Sequence, residues 1–252
     1  MTARCALLAD GTAAVDAAEA IGLARLQPGE LDPLAATSRG AGELIAAALA
    51  AASGVVVGAG GTATVDGGAG ALEALRGVAS GRIRVACDVR TAWEDAPRVF
   101  GPQKGADPQA VTTLEERLDR LARTFPRDPR GVPLTGCGGG LSGGLWGALG
   151  AELVPGAELV LAAVGLERRL EGADLVVTGE GRLDEQTAAG KLVAEVAARA
   201  RRAGVPCAAV VGCNALSAED ARALGLEPVL EAGDVRALEE AGGRLSSLFG
   251  AG

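Results

Sequence analysis

The sequence predicts an α/β protein with parallel strands, and three observations support this class. From residue 174 onward, short apolar segments alternate with longer helical segments, which is the pattern of consecutive βαβ units. Glycine-rich or polar loops follow several of the apolar segments, where ligands bind in a parallel sheet. Apolar residues make up 48% of the chain but aromatic residues only 2%, and there are 39 glycines. We therefore expect helices and sheets to pack closely through small and branched side chains.

The N-terminal half reads as alternating short elements. Residues 5–26 contain short apolar segments interrupted by Asp10-Gly11, which predicts one or two strands and a turn. The alanine-rich residues 40–52 predict a helix, and Val55–Val57 a short buried strand. Further along, the patterns predict a helix over 69–76, a strand over 82–87, a polar loop up to residue 108, a helix over 109–124, and a helical segment opened by the glycine block 136–147.

The C-terminal part is more regular. Residues 156–171 predict a single helix, and the apolar segment 174–179 predicts a strand that leads into a polar loop. The elements expected after this loop are a helix over 191–203, a strand over 206–212, a helix over 217–224, a strand near 228–230 and a helix over 235–249.

Composition excludes several classes of function. The chain has no histidine and no tyrosine, which removes Ser-His-Asp catalysis and histidine-based metal sites. A net charge of −8 and the lack of a basic stripe argue against a nucleic-acid partner. No apolar segment approaches the roughly 20 residues that span a bilayer, so we expect no membrane partner. Five cysteines without a Cys-x-x-Cys pair are typical of free thiols in a cytoplasmic protein.

The first candidate loop is the glycine loop, residues 58–68. Backbone N–H groups at Gly60 and Gly61 can approach an anion closely, and the hydroxyls of Thr62 and Thr64 can donate to it, which predicts a phosphate or carboxylate site. A tight turn with a threonine or aspartate helix cap is the structural alternative. The loop also fits Gly-x-Gly-x-x-Ala, with Asp88 at the end of the next strand, so a dinucleotide cofactor is a third, weaker possibility.

Two further candidate residues follow the next strand. Asp88 comes directly after it, and a carboxylate there can bind a cation, act as a base or simply cap a loop. Lys104 lies between glycines ahead of a helix, beside Gln103, where its ammonium group could reach a phosphate. A solvated lysine is the structural alternative.

The polar loop 178–191 is the most informative segment. Its carboxylates could hold Mg²⁺ while its cations balance phosphate charge, and such a mixture adds nothing to packing. A purely structural loop is the less favoured alternative. The chain lacks the Walker motif Gly-x-x-x-x-Gly-Lys-[Ser/Thr] and the His-Arg-Asp and Asp-Phe-Gly motifs of protein kinases. The candidate residues of this loop are Glu180, Arg182, Asp184, Gln186, Thr187 and Lys191.

These loops together resemble the type I glycerate kinases. Two long motifs carry most of the resemblance, VFGPQKGA over 99–106 and TGEGRLDEQTAAGK over 178–191. The segments 58–75, 85–89, 136–144, 155–177 and 204–212 follow the same family in the same order, so the resemblance covers nearly the whole chain.

The resemblance implies a fold and an activity. The fold would have two α/β lobes with a cleft between them, a glycine-rich lobe over 1–170 and a Rossmann/flavodoxin-like lobe over 171–252. The activity would be transfer of the γ-phosphoryl group of ATP, with Mg²⁺, to a hydroxyl of D-glycerate or a similar small hydroxy acid. Asp66 or Asp88 would accept the hydroxyl proton, Glu180 and Asp184 would hold the metal, and Lys104, Arg182 and Lys191 would bind phosphate or the substrate carboxylate.

Departures from the family pattern define the alternatives. Family members normally begin with a strand and an Asp-Ser-Phe-Lys segment and later carry Ala-Asp-Gly-Gly-Glu-Gly, and neither occurs here. We therefore expect an N-terminally shortened member with part of one sheet missing. An open sheet edge tends to pair, which predicts a homodimer. The alternatives to a kinase are a catalytically impaired homologue that binds a ligand or partner and, less favoured, a dinucleotide-binding oxidoreductase.

Overall fold

The computed structural model describes residues 2–77, 82–188 and 192–250, and the chain forms two compact units, Met1–Gly156 and Ala157–Gly252. Helices alternate with parallel strands in both units, so the predicted α/β class is confirmed. The lobes predicted over 1–170 and 171–252 were defined by sequence motifs and stay a prediction.

The first unit contains a mixed sheet. In the described part, its strands lie in the order β1 (Cys5–Leu7), β2 (Thr12–Asp16), β3 (Gly54–Gly58), β4 (Ile83–Cys87) and β5 (Glu152–Pro155). Only β1 runs antiparallel to its neighbour, and the other pairs are parallel. The carboxyl ends of β2 to β5 therefore lie at one edge, which brings the loops after β3 and β4 together.

The helices of the first unit connect the parallel strands. Gly42 in the helix after β2 approaches the next helix so closely that a Cβ there would lie 2.5 Å from the carbonyl oxygen of Ala71. This is the close approach that the glycine-rich composition predicts. The helices are α1 (Ala18–Ile21), α2 (Arg39–Ala51), α3 (Ala69–Ala74), α4 (Ala96–Phe100), α5 (Pro108–Ala122) and α6 (Leu141–Leu149).

Aliphatic side chains form most of the core of the first unit. Ile45 of α2, Val57 of β3 and Val85 of β4 are fully buried in one cluster. Trp93 and Leu118 form a smaller cluster against α4 and α5. Burial of these side chains stabilises the sheet and helps to fix the positions of its loops.

The second unit contains a parallel sheet with strand order β10 (Val229–Glu231), β8 (Cys207–Val211) and β6 (Val176–Thr178) in the described residues. A two-residue parallel pair, β7 (Arg182–Leu183) and β9 (Cys213–Asn214), continues from the ends of β6 and β8. The helices are α7 (Gly156–Ala163), α8 (Leu166–Leu170), α9 (Glu185–Ala188), α10 (Leu192–Ala203), α11 (Ala218–Leu224) and α12 (Val235–Phe249).

Most predicted elements are confirmed, and the differences have local causes. The single helix predicted over 156–171 is wrong, because Gly165 adopts a left-handed φ of +65° that ends α7 and separates it from α8. The polar loop predicted up to residue 108 contains α4 and short 3-10 turns. Strand β5 was not predicted, since its four residues include Glu152 and Pro155.

Within the described ranges, every helix is too short or too polar to cross a membrane.

Candidate active site

The glycine loop 58–68 is organised by Asp66. Its Oδ2 accepts hydrogen bonds from the backbone N–H and the hydroxyl of Ser38, both at 2.8 Å, and from the N–H of Gly70 at 3.2 Å. Its Oδ1 accepts from the N–H of Gly68 at 3.1 Å. Charge-assisted bonds of this kind are strong, so Asp66 joins the loop to the start of α2. Asp66 therefore has a structural function in the loop, and its predicted role as the base stays a prediction.

Lys104 lies beneath the same loop and is 4% exposed. Its Nζ donates to the backbone oxygen of Thr64 at 2.8 Å and to the hydroxyl of Thr62 at 3.4 Å, and it lies 5.9 Å from the ring centre of Phe100. Burial lowers the pKa of Lys104 from its ordinary value of 10.5 to about 8, although the carboxylates of Asp66 and Asp88 oppose this. The side chain is thus a cation at neutral pH, and the predicted alternative of a solvated lysine is wrong.

Asp88 and Lys104 line one cavity of about 240 Å³ at the carboxyl ends of β3 and β4. Asp88 directly follows β4, and its Oδ1 accepts a hydrogen bond from the thiol of Cys137 at 2.9 Å. The cavity combines a carboxylate, a buried cation and glycine backbone, which suits a small polar anion that carries a hydroxyl. Its other lining residues are Leu23, Gly60, Gly61, Thr62, Val89, Phe100, Gln103 and Gly138.

The glycine block 136–144 packs against the glycine loop. Gly139 has a φ of +67°, and a Cβ at this position would lie 2.0 Å from the backbone oxygen of Thr64. Only glycine can combine this conformation with this approach. The block thereby holds Cys137 beside Asp88 and Gly138 at the cavity wall.

The polar loop of the second unit has its own geometry. The hydroxyl of Thr187, which is fully buried, donates to Glu180 Oε1 at 2.6 Å. The same hydroxyl accepts from the N–H of Asp184 at 3.3 Å, and the Asp184 carboxylate lies 3.5 Å from Nε of Arg182. Pairing of β7 with β9 fixes this loop beside the end of β8. Glu180 and Asp184 are consequently held in one turn.

This pair of carboxylates fits Mg²⁺ in a particular way. Magnesium prefers oxygen ligands and is commonly held by one or two carboxylates together with substrate phosphates. In 2–77, 82–188 and 192–250, no three acidic or cysteine side chains are grouped so that they could hold a metal. Glu180 and Asp184 are oxygen donors of the type that Mg²⁺ takes in proteins, and their predicted role as metal ligands stays a prediction.

The predicted site residues divide into two groups. One cavity contains Gly60, Gly61, Thr62, Asp88, Gln103 and Lys104. A turn of the second unit contains Glu180, Arg182, Asp184 and Thr187. Asp66 and Thr64 support the glycine loop, and in the described part of the chain the buried hydroxyl of Thr64 has no hydrogen-bond partner. Gln186 lies in α9 with its side chain outside the described part, and Lys191 lies outside the described residues.

Sequence reasoning missed two residues of the first unit. Ser38 donates to Asp66, and Cys137 donates to Asp88. Each pair is far apart along the chain, so no local pattern connects its members. For Cys137 the only available signal was its place within a glycine block.

The comparisons with known proteins agree with the motifs. The model of the "Glycerate kinase family" matches residues 1–82 and 76–241. Glycerate 2-kinase of Escherichia coli K12 is 36% identical over 240 residues, which are 80% of this chain and 63% of that protein. Glycerate kinase of Bacillus subtilis 168 is 36% identical over 250 residues, covering 82% and 64%.

A solved structure is similar as well. The crystal structure of "putative glycerate kinase 2" from Salmonella typhimurium LT2 superposes with a TM-score of 0.69 at 34% identity, covering 96% of this chain and 75% of that one. The chain spans 63% and 64% of the two named curated relatives, from Escherichia coli and Bacillus subtilis. Since the family model covers most of the chain and the fold agrees, this protein belongs to the glycerate kinase family.

Proposed function

We propose that the chain is a phosphotransferase that moves the γ-phosphoryl group of ATP to a hydroxyl of D-glycerate or a similar small hydroxy acid. The observation that carries this proposal is the cavity in which the buried cation of Lys104 and the carboxylate of Asp88 meet the glycine loop. At about 240 Å³ the cavity is smaller than the roughly 300–1,000 Å³ of sites for larger ligands. It suits a three-carbon acid and is too small for a whole nucleotide.

Charges in the cavity support the roles that we propose for its residues. The ammonium group of Lys104 binds the carboxylate of the acid, helped by the backbone at Gly60 and Gly61. Asp88 accepts the proton of the hydroxyl that attacks the phosphoryl group, because it is the carboxylate that lines the cavity. Asp66 is already engaged by four donors, so it is less suited to this step.

The polar loop of the second unit is proposed to bind the nucleotide phosphates. Glu180 and Asp184 would hold Mg²⁺, which supplies charge neutralisation on the phosphates when it is bound. Arg182 is 64% exposed in its side chain and can turn toward a phosphate from its contact with Asp184. Phosphoryl transfer depends mainly on positioning and charge neutralisation, so a chain without histidine can perform it.

The alternative from a different class is a non-catalytic homologue that binds a ligand or partner. Such a protein would bind Mg-ATP or a hydroxy acid and release no ADP. The family match favours a kinase over the dinucleotide-binding oxidoreductase.

The test is a turnover assay with a variant and a matched control. Purified protein is incubated with Mg-ATP and D-glycerate, and ADP and phosphoglycerate are measured by mass spectrometry. Asp88→Asn should reduce kcat by at least about 100-fold, the usual contribution of a general base. Asp16→Asn is the control, because Asp16 also ends a strand at this edge but does not line the cavity. Absence of ATP turnover across a panel of small hydroxy acids would refute the catalytic proposal.

A homodimer is a separate proposal. Strand β1 lies at the edge of its sheet in the described residues, and Cys5, Ala6 and Leu7 are all exposed. An exposed edge strand with an apolar residue favours pairing with a second copy. Light scattering at micromolar concentration should give twice the monomer mass, and replacing Ala6 by proline should restore the monomer. A monomeric wild-type protein would exclude this pairing.

A further inference from the structure

Cys137 is a buried thiol in direct contact with the proposed base. Its side chain is fully buried in the turn before α6, and its Sγ lies 2.9 Å from Asp88 Oδ1. Its backbone is anchored too, because the carbonyl oxygen of Cys137 accepts from the N–H and the hydroxyl of Ser142 at 3.2 and 3.1 Å. The thiol therefore approaches the carboxylate from a fixed position.

The thiol acts as a donor and not as a nucleophile. Hydrogen bonding with the Cys87 thiol, burial and the charge of Asp88 raise the pKa of Cys137 well above its ordinary value. The sulfur thus keeps its proton at neutral pH. A thiol proton shared with an ionised carboxylate forms a charge-assisted hydrogen bond, which is stronger than one to a neutral acceptor.

The contact also distinguishes the two oxygens of Asp88. Oδ1 accepts the hydrogen bond from Cys137. Oδ2 is the oxygen nearer to the glycine loop, because a Cβ built on Gly60 would lie 2.8 Å from Oδ2 and 3.8 Å from Oδ1. The terminal torsion of aspartate is broad and does not by itself fix the carboxylate plane. The bond from Cys137 therefore selects one orientation among several.

We propose that Cys137 is a positioning residue that holds Asp88 Oδ1 and thereby directs Oδ2 toward the hydroxyl of the bound acid. This inference rests on the proposed function of Asp88 as the base. Cys137 itself does not contact the substrate in this scheme, because Gly138 and not Cys137 lines the cavity.

Substitution of the thiol should separate kcat from KM. Cys137→Ala removes the donor, and we expect kcat to fall about tenfold with KM nearly unchanged, as for loss of one hydrogen bond to a charged group. Cys137→Ser keeps a donor and should restore most of kcat. The control is Cys207→Ala, because Cys207 is another buried thiol whose bond goes to the backbone oxygen of Ala208 and not to a carboxylate. An unchanged kcat in Cys137→Ala, or a rise in KM alone, would overturn the inference.

A second measurement does not depend on activity. The S–H stretching band of Cys137, identified by its loss in Cys137→Ala, should move to higher frequency in Asp88→Asn because the acceptor loses its charge. A band that does not move shows that the thiol and the carboxylate are not coupled and overturns the inference. If the wild-type chain turns over no acceptor, the proposed function fails, while a band that moves still supports the positioning of Asp88 by Cys137.

Discussion

Replacing Lys104 by methionine should change how stability depends on pH. The lysine is 4% exposed, and burial lowers its pKa from 10.5 in the unfolded chain to about 8 in the folded one. Below pH 8 both states are protonated, and the cost of burying the charge is fully present. Between pH 8 and 10.5 the folded state loses its proton while the unfolded state keeps it, so the native state gains stability as pH rises.

The magnitude follows from the two pKa values. The two pKa values differ by about 2.5, and one pKa unit is worth about 1.4 kcal/mol. The free energy of unfolding therefore changes by about 3 kcal/mol over this pH range. We expect the free energy of unfolding of the wild type, minus that of Lys104→Met, to rise by up to this amount between pH 7 and pH 10.5. The difference at pH 7 alone is less informative, because the variant loses both the buried charge and the bond to the oxygen of Thr64.

Urea denaturation followed by circular dichroism, at intervals of half a pH unit, provides the measurement. Taking the difference between the two proteins removes the contribution of titrating groups that do not interact with Lys104. Arg98→Met is the control, since it makes the same replacement of a cation at a side chain that is 68% exposed. If the wild-type and Lys104→Met curves stay parallel up to pH 10.5, the pKa of Lys104 is not lowered and its burial as a cation is refuted.

Three further predictions concern the loops around the two groups of site residues. Asp66→Asn should lower the free energy of unfolding by about 3 kcal/mol in urea denaturation. An amide has a single acceptor oxygen, so it loses either the bond from Gly68 at Oδ1 or the bonds from Ser38 and Gly70 at Oδ2, and its NH₂ group then faces an N–H donor. A loss below about 1 kcal/mol would contradict its structural role. Gly139→Ala should lower the melting temperature by several degrees. Gly139 has a φ of +67°, and the Cβ of an alanine there would lie 2.0 Å from the backbone oxygen of Thr64. An unchanged melting temperature in calorimetry would show that the glycine block does not pack on the glycine loop. Thr187→Val should weaken Mg-ATP binding about tenfold in titration calorimetry, while Thr187→Ser should retain the wild-type affinity. The reason is that the hydroxyl lost in Thr187→Val donates to Glu180 at 2.6 Å. Equal affinities for the two variants would show that the Thr187 hydroxyl does not contribute to nucleotide binding.

Local sequence determined the elements and the candidate loops. Alanine content predicted α2, apolar runs predicted β3 and β8, and alternation predicted β4, because these signals depend on residues that are neighbours along the chain. The motifs 99–106 and 178–191 also indicated the family without any contact information, and the family match confirms this. The absence of histidine likewise excluded histidine-based catalysis and metal sites, because amino-acid composition is known without the fold.

Tertiary structure decided which groups surround each polar residue. The sequence presented Asp66 and Asp88 as equivalent candidates for the base, but folding surrounds Asp66 with donors from Ser38, Gly68 and Gly70 and leaves Asp88 at a cavity wall. Lys104 is buried because its segment folds beneath the glycine loop, where Thr64, 40 positions away in the chain, accepts its hydrogen bond. The partnership of Asp88 with Cys137 joins residues 49 positions apart. Such contacts arise from sheet order and helix packing, and no local pattern encodes them, because the distance between two side chains depends on every element folded between them.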